Sequence, residues 1–332
     1  MSKLTKSFEG LLKSTQLFQQ KSGMSFLDSY IENAWNVRNG GVVKNNQGFS
    51  EEVIHELEME YQQLNSLELS AEDWRKTAQL TLLKGQKTEI LQANHQMTPD
   101  GLAFLFAYLL EQLTSEQKTL TLYDNALGMG NLLFAVMNQL ELAGKNVQGA
   151  GSEVDDALIA VAEINSMLMD KTVELYLQDG LTEISSFAPD IVLSDFPIGY
   201  YPNDEKSKEF KVFESGEHTY AHHLLLESAM KQVKKGGFGL FLLPQDLFLS
   251  EQANNLKQWL VEEVYLQAVI QLPETLFQTK GRQKSLYLFQ RKGENAKQQE
   301  VFAYHLTSLS EKGILAKFLR AFVKWKNDFT KI

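Results

Sequence analysis

The sequence contains no cysteine, which excludes disulfides and thiolate metal sites. It has six prolines in 332 residues, so long stretches are free to run as helix or strand. No apolar run reaches the length of a membrane span. The opening Met1-Ser-Lys-Leu-Thr-Lys6 leads into mixed polar residues without the apolar stretch of a secretory signal. These absences point to a cytoplasmic location and to no membrane partner. Positive charge is scarce too: 32 Lys and Arg stand against 42 Asp and Glu, a net charge of −10. A free-standing duplex-DNA binder presents a basic face to phosphates, so DNA binding here would be weak unless a local basic patch assists it. The six histidines are scattered. Only His222 and His223 adjoin, and neighbours on a helix do not share a face. No metal-ligand spacing surrounds them, and no metal is expected.

What is present is a globular composition, 43% apolar and 22% charged. Residues 1–92 read as a helical region. Leu4, Phe8, Leu11 and Leu12 form one stripe, and Phe26, Leu27, Tyr30, Ile31 and Ala34 another. A loop rich in Gly and Asn follows, from Asn39 to Gly48. Ser50 and Ser70 each precede acidic residues, as helix N-caps do. No chemistry is visible in this region, which reads as a helical cap or a module that docks a protein partner.

Beyond Gln96 strands alternate with helices. Strands are expected at Leu120–Tyr123, Val147–Ser152, Val173–Leu177, Ile191–Ser194, Phe238–Leu243, Tyr265–Leu272 and Ser285–Gln290. This alternation predicts an α/β fold with a doubly wound parallel sheet. The link between the sixth and seventh strands is too short for a crossover helix, so the seventh should run antiparallel. Residues 296–332 read as a tail with a polar helix, Leu315, Phe318, Leu319, Phe322 and Trp325 on one side.

The stretch Tyr123-Asp-Asn-Ala-Leu-Gly-Met-Gly-Asn-Leu-Leu133 joins the first strand to a helix. Glycines in such a turn admit positive φ and close ligand approach, and the free N–H groups of the following helix favour negative charge. A dinucleotide fingerprint wants a third glycine where Leu133 stands. Instead there is Asp124 at the strand end and a second acid, Glu153, after the next strand, placed to accept both hydroxyls of a ribose. This pattern resembles motifs I and II of class I S-adenosylmethionine (SAM) methyltransferases, whose Rossmann-like sheet also has an antiparallel last strand.

The fourth strand ends in Ser194-Asp195-Phe196-Pro197-Ile198-Gly199-Tyr200-Tyr201. In methyltransferases acting on exocyclic or amide nitrogens this place holds Asn, Asp or Ser, then Pro-Pro and an aromatic. The polar side chain and the following carbonyl accept hydrogen bonds from the target amine, and the aromatic stacks on a flipped base. Thr98-Pro99, the Asp124 to Gly130 turn, Glu153, Asp179-Gly180, Asp195-Phe196-Pro197, Lys235-Gly236-Gly237 and Leu272-Pro273 occur in the order of the N6-adenine DNA methylase family. That is the family of the modification subunits of type I restriction systems. More narrowly, the chain is similar to the YtxK-type methyltransferases, with residues 93–295 resembling their SAM-dependent methyltransferase domain.

The resemblance implies SAM as cofactor and adenine N6 of DNA as acceptor. It places Thr98 near the methionine carboxylate and Asp124, Ala126, Gly128 and Gly130 along the methionine portion, with Asn125 and Asn131 in the same turn. Glu153, followed by Val154, corresponds to the ribose acid. Asp179, beside Gly180 and Leu181, corresponds to the acid at the adenine amino group. Asp195, Phe196 and Pro197 correspond to the catalytic motif.

Two departures stand out. Phe196 replaces the first proline and Ile198 the stacking aromatic, which leaves Tyr200 and Tyr201 as candidates to contact the acceptor. No segment after Lys292 is long enough for target recognition, whereas Lys280, Arg282 and Lys284 form a basic stretch on a loop expected at the cofactor face, a candidate phosphate contact. RNA or protein methylation, or a catalytically degenerate SAM-binding interaction protein, are the alternatives.

Overall fold

The computed structural model describes residues 2–44, 48–85, 97–185, 187–277, 283–294 and 296–329. Four helices come first: α1 (Lys3–Ser22), α2 (Phe26–Arg38), α3 (Glu51–Ser66) and α4 (Ala71–Gly85). Their N-termini are capped as the serines imply. Ser2, Ser25 and Ser50 each accept a hydrogen bond from the amide three residues on, and Ser70 exchanges bonds with Asp73. Between the helices Asn33 donates to Ser14 and Thr15 and accepts from Tyr61, so both ends of its buried amide are paired.

Next come α5 (Asp100–Leu113), β1 (Thr119–Asp124), α6 (Asn131–Leu142), β2 (Asn146–Glu153), α7 (Asp156–Leu168), β3 (Val173–Leu177) and β4 (Ile191–Asp195). After them run α8 (Asp204–Ser207), α9 (Ala221–Gln232), β5 (Phe238–Pro244), α10 (Ala253–Glu263), β6 (Val264–Gln271), β7 (Lys284–Arg291), β8 (Phe302–His305) and α11 (Lys312–Phe329). The sheet order is β3-β2-β1-β4-β5-β7-β6-β8. Strands β1 to β5 pair in parallel, and β7 runs antiparallel to both β5 and β6. All seven expected strands are present.

Successive residues of the central strands serve opposite faces. Leu122, Ile191, Leu193, Leu240 and Leu242 join the core beneath α5, α6 and α7, which continues into the N-terminal helices. Tyr123, Val192 and Phe241 join the core beneath α9 and α10. Both faces are covered, as a parallel sheet requires.

The structure adds an eighth strand. β8 lies in the segment expected to be a helical tail and pairs in parallel with β6. Phe302 and Tyr304 on it pack against Phe318 of α11, and Phe302 also meets Phe322 and Trp325. The tail therefore covers the sheet edge, the usual remedy for unpaired strand groups.

The N-terminal helices lie against α6 and α7. Tyr30 Oη donates to Asn165 Oδ1 at 2.6 Å. Arg75, 3% exposed, is held by Glu72 at 2.8 Å and by Asp100 at 2.9 Å, which ties α4 to the first residue of α5.

Candidate active site

The carboxyl ends of β1, β2 and β4 deliver three acids to one place. Asp124 is 1% exposed. Its Oδ1 accepts from the Ala126 amide at 3.0 Å and the Ser194 hydroxyl at 2.5 Å. Among the described residues its Oδ2 receives no hydrogen bond, so one oxygen is left for a ligand's donor. Burial, aided by the negative charges of Glu153 and Asp195, raises its carboxyl to about 7. Acids gathered at one place favour a cationic ligand and oppose a pyrophosphate.

The turn after β1 is shaped around that spot. Gly128 has φ +56° and open space where a Cβ would stand, and Gly130 has φ +78°. Glu153 Oε2 accepts from the Gly128 amide at 2.8 Å, and its Oε1 accepts from Val154 and Asp155. Glu153 thus braces the turn. Val154 is 71% exposed, an apolar side chain beside the acid. Asn125 is buried and donates to the carbonyls of Gly180 and Leu225. Leu181 is buried, and its amide donates to Asp179 Oδ1 at 2.9 Å. Asn131 Nδ2 donates to the Thr98 carbonyl at 2.6 Å. These contacts bring Thr98, Asn131, Asp124, Gly128 and Glu153 around one cradle.

Asp195 closes it on the β4 side. Thr98 Oγ1 donates to Asp195 Oδ2 at 2.8 Å. Lys284 Nζ, from the first residue of β7, donates to Asp195 Oδ1 at 2.5 Å and to the Phe196 carbonyl at 2.6 Å. The Phe196 ring is 0% exposed and stacks on Phe241 with centroids 5.0 Å apart. Only its carbonyl serves the site. Pro197 follows on the coil that leaves β4.

The two tyrosines part company. Tyr201 donates its hydroxyl to Asp179 Oδ2, with Lys206 3.4 Å from the same oxygen. That contact holds the Tyr201 hydroxyl against Asp179, the acid expected at the cofactor's adenine. Tyr200 is 56% exposed and stacks on Tyr220 at 4.9 Å, and Tyr220 stacks on buried His222 at 5.1 Å. Sequence reading missed Tyr220, which has no motif around it. Burial holds His223 down at about 4. His222 falls well below the usual range through burial, then through its neighbours His223 and Lys284. Lys280 and Arg282 lie outside the described residues. Among the described residues no cluster of His, Cys, Asp and Glu is fit to hold a metal, and no helix is long and apolar enough to cross a membrane.

Known proteins share this fold. Residues 89–320 match the family described as N-6 DNA Methylase, and residues 5–86 match the YtxK N-terminal helical domain. The uncharacterized protein YtxK of Bacillus subtilis (strain 168) is 37% identical over 255 residues, 76% of this chain and 77% of that protein. A Listeria monocytogenes structure described as a candidate class I SAM-dependent methyltransferase superposes with a TM-score of 0.90 at 33% identity, covering 98% of this chain and 99% of that one. The methyltransferase subunit of a type I restriction-modification system from Streptococcus thermophilus shares the fold, with a TM-score of 0.66 at 17% identity over 95% of this chain and 74% of that one. On the family match and the extent of these likenesses, the chain belongs to the N-6 DNA methylase family.

Proposed function

We propose that this protein is a SAM-dependent N-methyltransferase whose acceptor is an exocyclic amino nitrogen, with adenine N6 of DNA as the first candidate. The observation that carries the reading is the convergence of two acceptors, Asp195 Oδ1 and the Phe196 carbonyl, on one nitrogen position, 2.5 and 2.6 Å away. An amine held there has both its N–H groups directed and its lone pair aimed away from them. Thr98 holds the Asp195 carboxylate from its other oxygen, and Asn131 holds Thr98.

The residues at β1 and β2 fit the cofactor. Asp124 Oδ2 is available to an ammonium, Glu153 to ribose hydroxyls, and the face of Val154 to a purine ring. Asp124 and Glu153 at the cradle favour a cationic sulfonium ligand over an anionic dinucleotide. When bound, SAM supplies an electrophilic methyl group. Asp195 and the Phe196 carbonyl orient the acceptor nitrogen, and Asp195 stands next to the proton that this nitrogen loses. Exposed Tyr200, five residues past Asp195 and backed by Tyr220, offers a planar face for a base.

The test is calorimetric titration with SAM, followed by transfer of labelled methyl from SAM into DNA, RNA and protein fractions. Binding with label in DNA supports the reading, and label in RNA or protein keeps the chemistry and moves the acceptor. Binding without any label would favour a cofactor-binding interaction protein.

A further inference from the structure

The acceptor seat is occupied by the chain's own amine. Lys284 Nζ donates to Asp195 Oδ1 and to the Phe196 carbonyl, the two acceptors that the proposed reaction needs for its target nitrogen. The Lys284 side chain is 16% exposed and that of Asp195 25%, so the ion pair is sheltered from water. Asp195 Oδ2 is already engaged by Thr98. Among the described residues Lys284 thus engages both acceptors of this seat, and an incoming amine must compete with it for them.

We infer that Lys284 is a specificity-determining residue: it holds the seat in the free protein, and the acceptor nitrogen must displace it. This inference rests on the reading of the Asp195 and Phe196 acceptors given above. The displaced ammonium loses a carboxylate and a carbonyl partner, a cost a neutral nucleoside cannot offset. An acceptor that carries an anionic group within reach of the four-carbon lysine arm can offset it, because that group takes over the charge-assisted bond. The exchange selects acceptors that combine an exocyclic amine with a nearby phosphate. Nucleotides and nucleic acids have both. A free nucleoside and a neutral amide side chain lack the second.

The same contact could instead be a fixed strut that orients Asp195. The two roles separate in binding measurements on the full chain with S-adenosylhomocysteine present, using deoxyadenosine and deoxyadenosine 5′-monophosphate as probes. Seat exchange predicts that the wild type binds the nucleotide about tenfold more tightly than the nucleoside. It also predicts that Lys284→Met binds deoxyadenosine at least about threefold more tightly than the wild type and loses most of the nucleotide preference. A Lys284→Met protein that melts normally but binds deoxyadenosine no better than the wild type overturns the inference.

If neither protein binds either probe, adenine falls as the acceptor, and the seat is read directly. Acetylation of Lys284, followed by peptide mass spectrometry, is compared in the wild type and Asp195→Ala. Slow labelling that accelerates several-fold in Asp195→Ala keeps Lys284 in the seat. Labelling in both proteins as fast as at exposed Lys208 overturns it.

Discussion

Tyr30 Oη donates to Asn165 Oδ1 at 2.6 Å, and Asn165 Nδ2 donates to the Met129 carbonyl at 3.3 Å. Met129 stands between Gly128 and Gly130 in the turn after β1, so a residue of the second N-terminal helix braces that turn from behind. Tyr30→Phe leaves a buried acceptor unpaired and should lower stability by about 1–2 kcal/mol. SAM affinity should fall about two- to fivefold, because the turn is less fixed. Urea denaturation and calorimetry on one preparation check both numbers. Unchanged affinity would assign the contact to stability alone.

Gly128 and Gly180 should respond to alanine differently, one mainly in binding and the other mainly in stability. A Cβ on Gly180 would stand 1.9 Å from the Asn125 carbonyl oxygen, a backbone atom and not the end of a flexible side chain. Gly180→Ala should therefore destabilise the fold by roughly 3 kcal/mol or more. At Gly128 a Cβ meets nothing within 4 Å. Its φ of +56° costs alanine about 1–2 kcal/mol, so the fold tolerates the change. SAM binding should weaken at least about tenfold, because the new methyl stands in the cradle. Melting temperature and calorimetric affinity, measured for both variants, separate the two effects.

Asp124 and His223 oppose each other in acid. Burial raises Asp124 to about 7 from 3.8, so the folded state binds its proton more tightly than the unfolded chain. Its contribution to stability is fully present below pH 4 and is lost as pH rises toward 7, by roughly 4 kcal/mol. Burial lowers His223 to about 4 from 6.5, so the unfolded chain binds the proton more tightly there. Its contribution is present above about pH 6.5 and is lost as pH falls toward 4, by roughly 3 kcal/mol. His222 shifts in the same direction as His223. Asp124→Asn should remove the decline with rising pH and leave a steeper loss of stability in acid. Chemical denaturation from pH 4 to 7.5 measures both slopes. Because an ammonium ligand prefers the ionised carboxylate, SAM affinity should rise with pH up to about 7 in the wild type and stay flat in Asp124→Asn.

The seven core strands are legible because alternation and apolar runs are local signals. The cradle is legible because Asp124, Gly128, Gly130 and Glu153 sit at strand ends that sequence spacing already locates. β8 is not, since four residues with alternate exposure carry little pattern, and its identity depends on pairing with β6. Lys284 reads as a phosphate contact on a basic stretch. Its hold on Asp195, a residue 89 positions away, follows from the antiparallel pairing of β5 with β7. Tyr201 is likewise drawn to Asp179 by the coil after β4, which no motif encodes. The N-terminal helices carry no catalytic motif, and their link to the cofactor turn runs through Tyr30 and Asn165, two residues of common type.

The most direct measurement is transfer of labelled methyl from SAM into nucleic acid by the wild type and by Asp195→Ala. The account predicts label in DNA with the wild type, loss of at least about a hundredfold in Asp195→Ala, and SAM affinity unchanged within about threefold. Equal transfer by the two proteins, or SAM binding by neither, would contradict it.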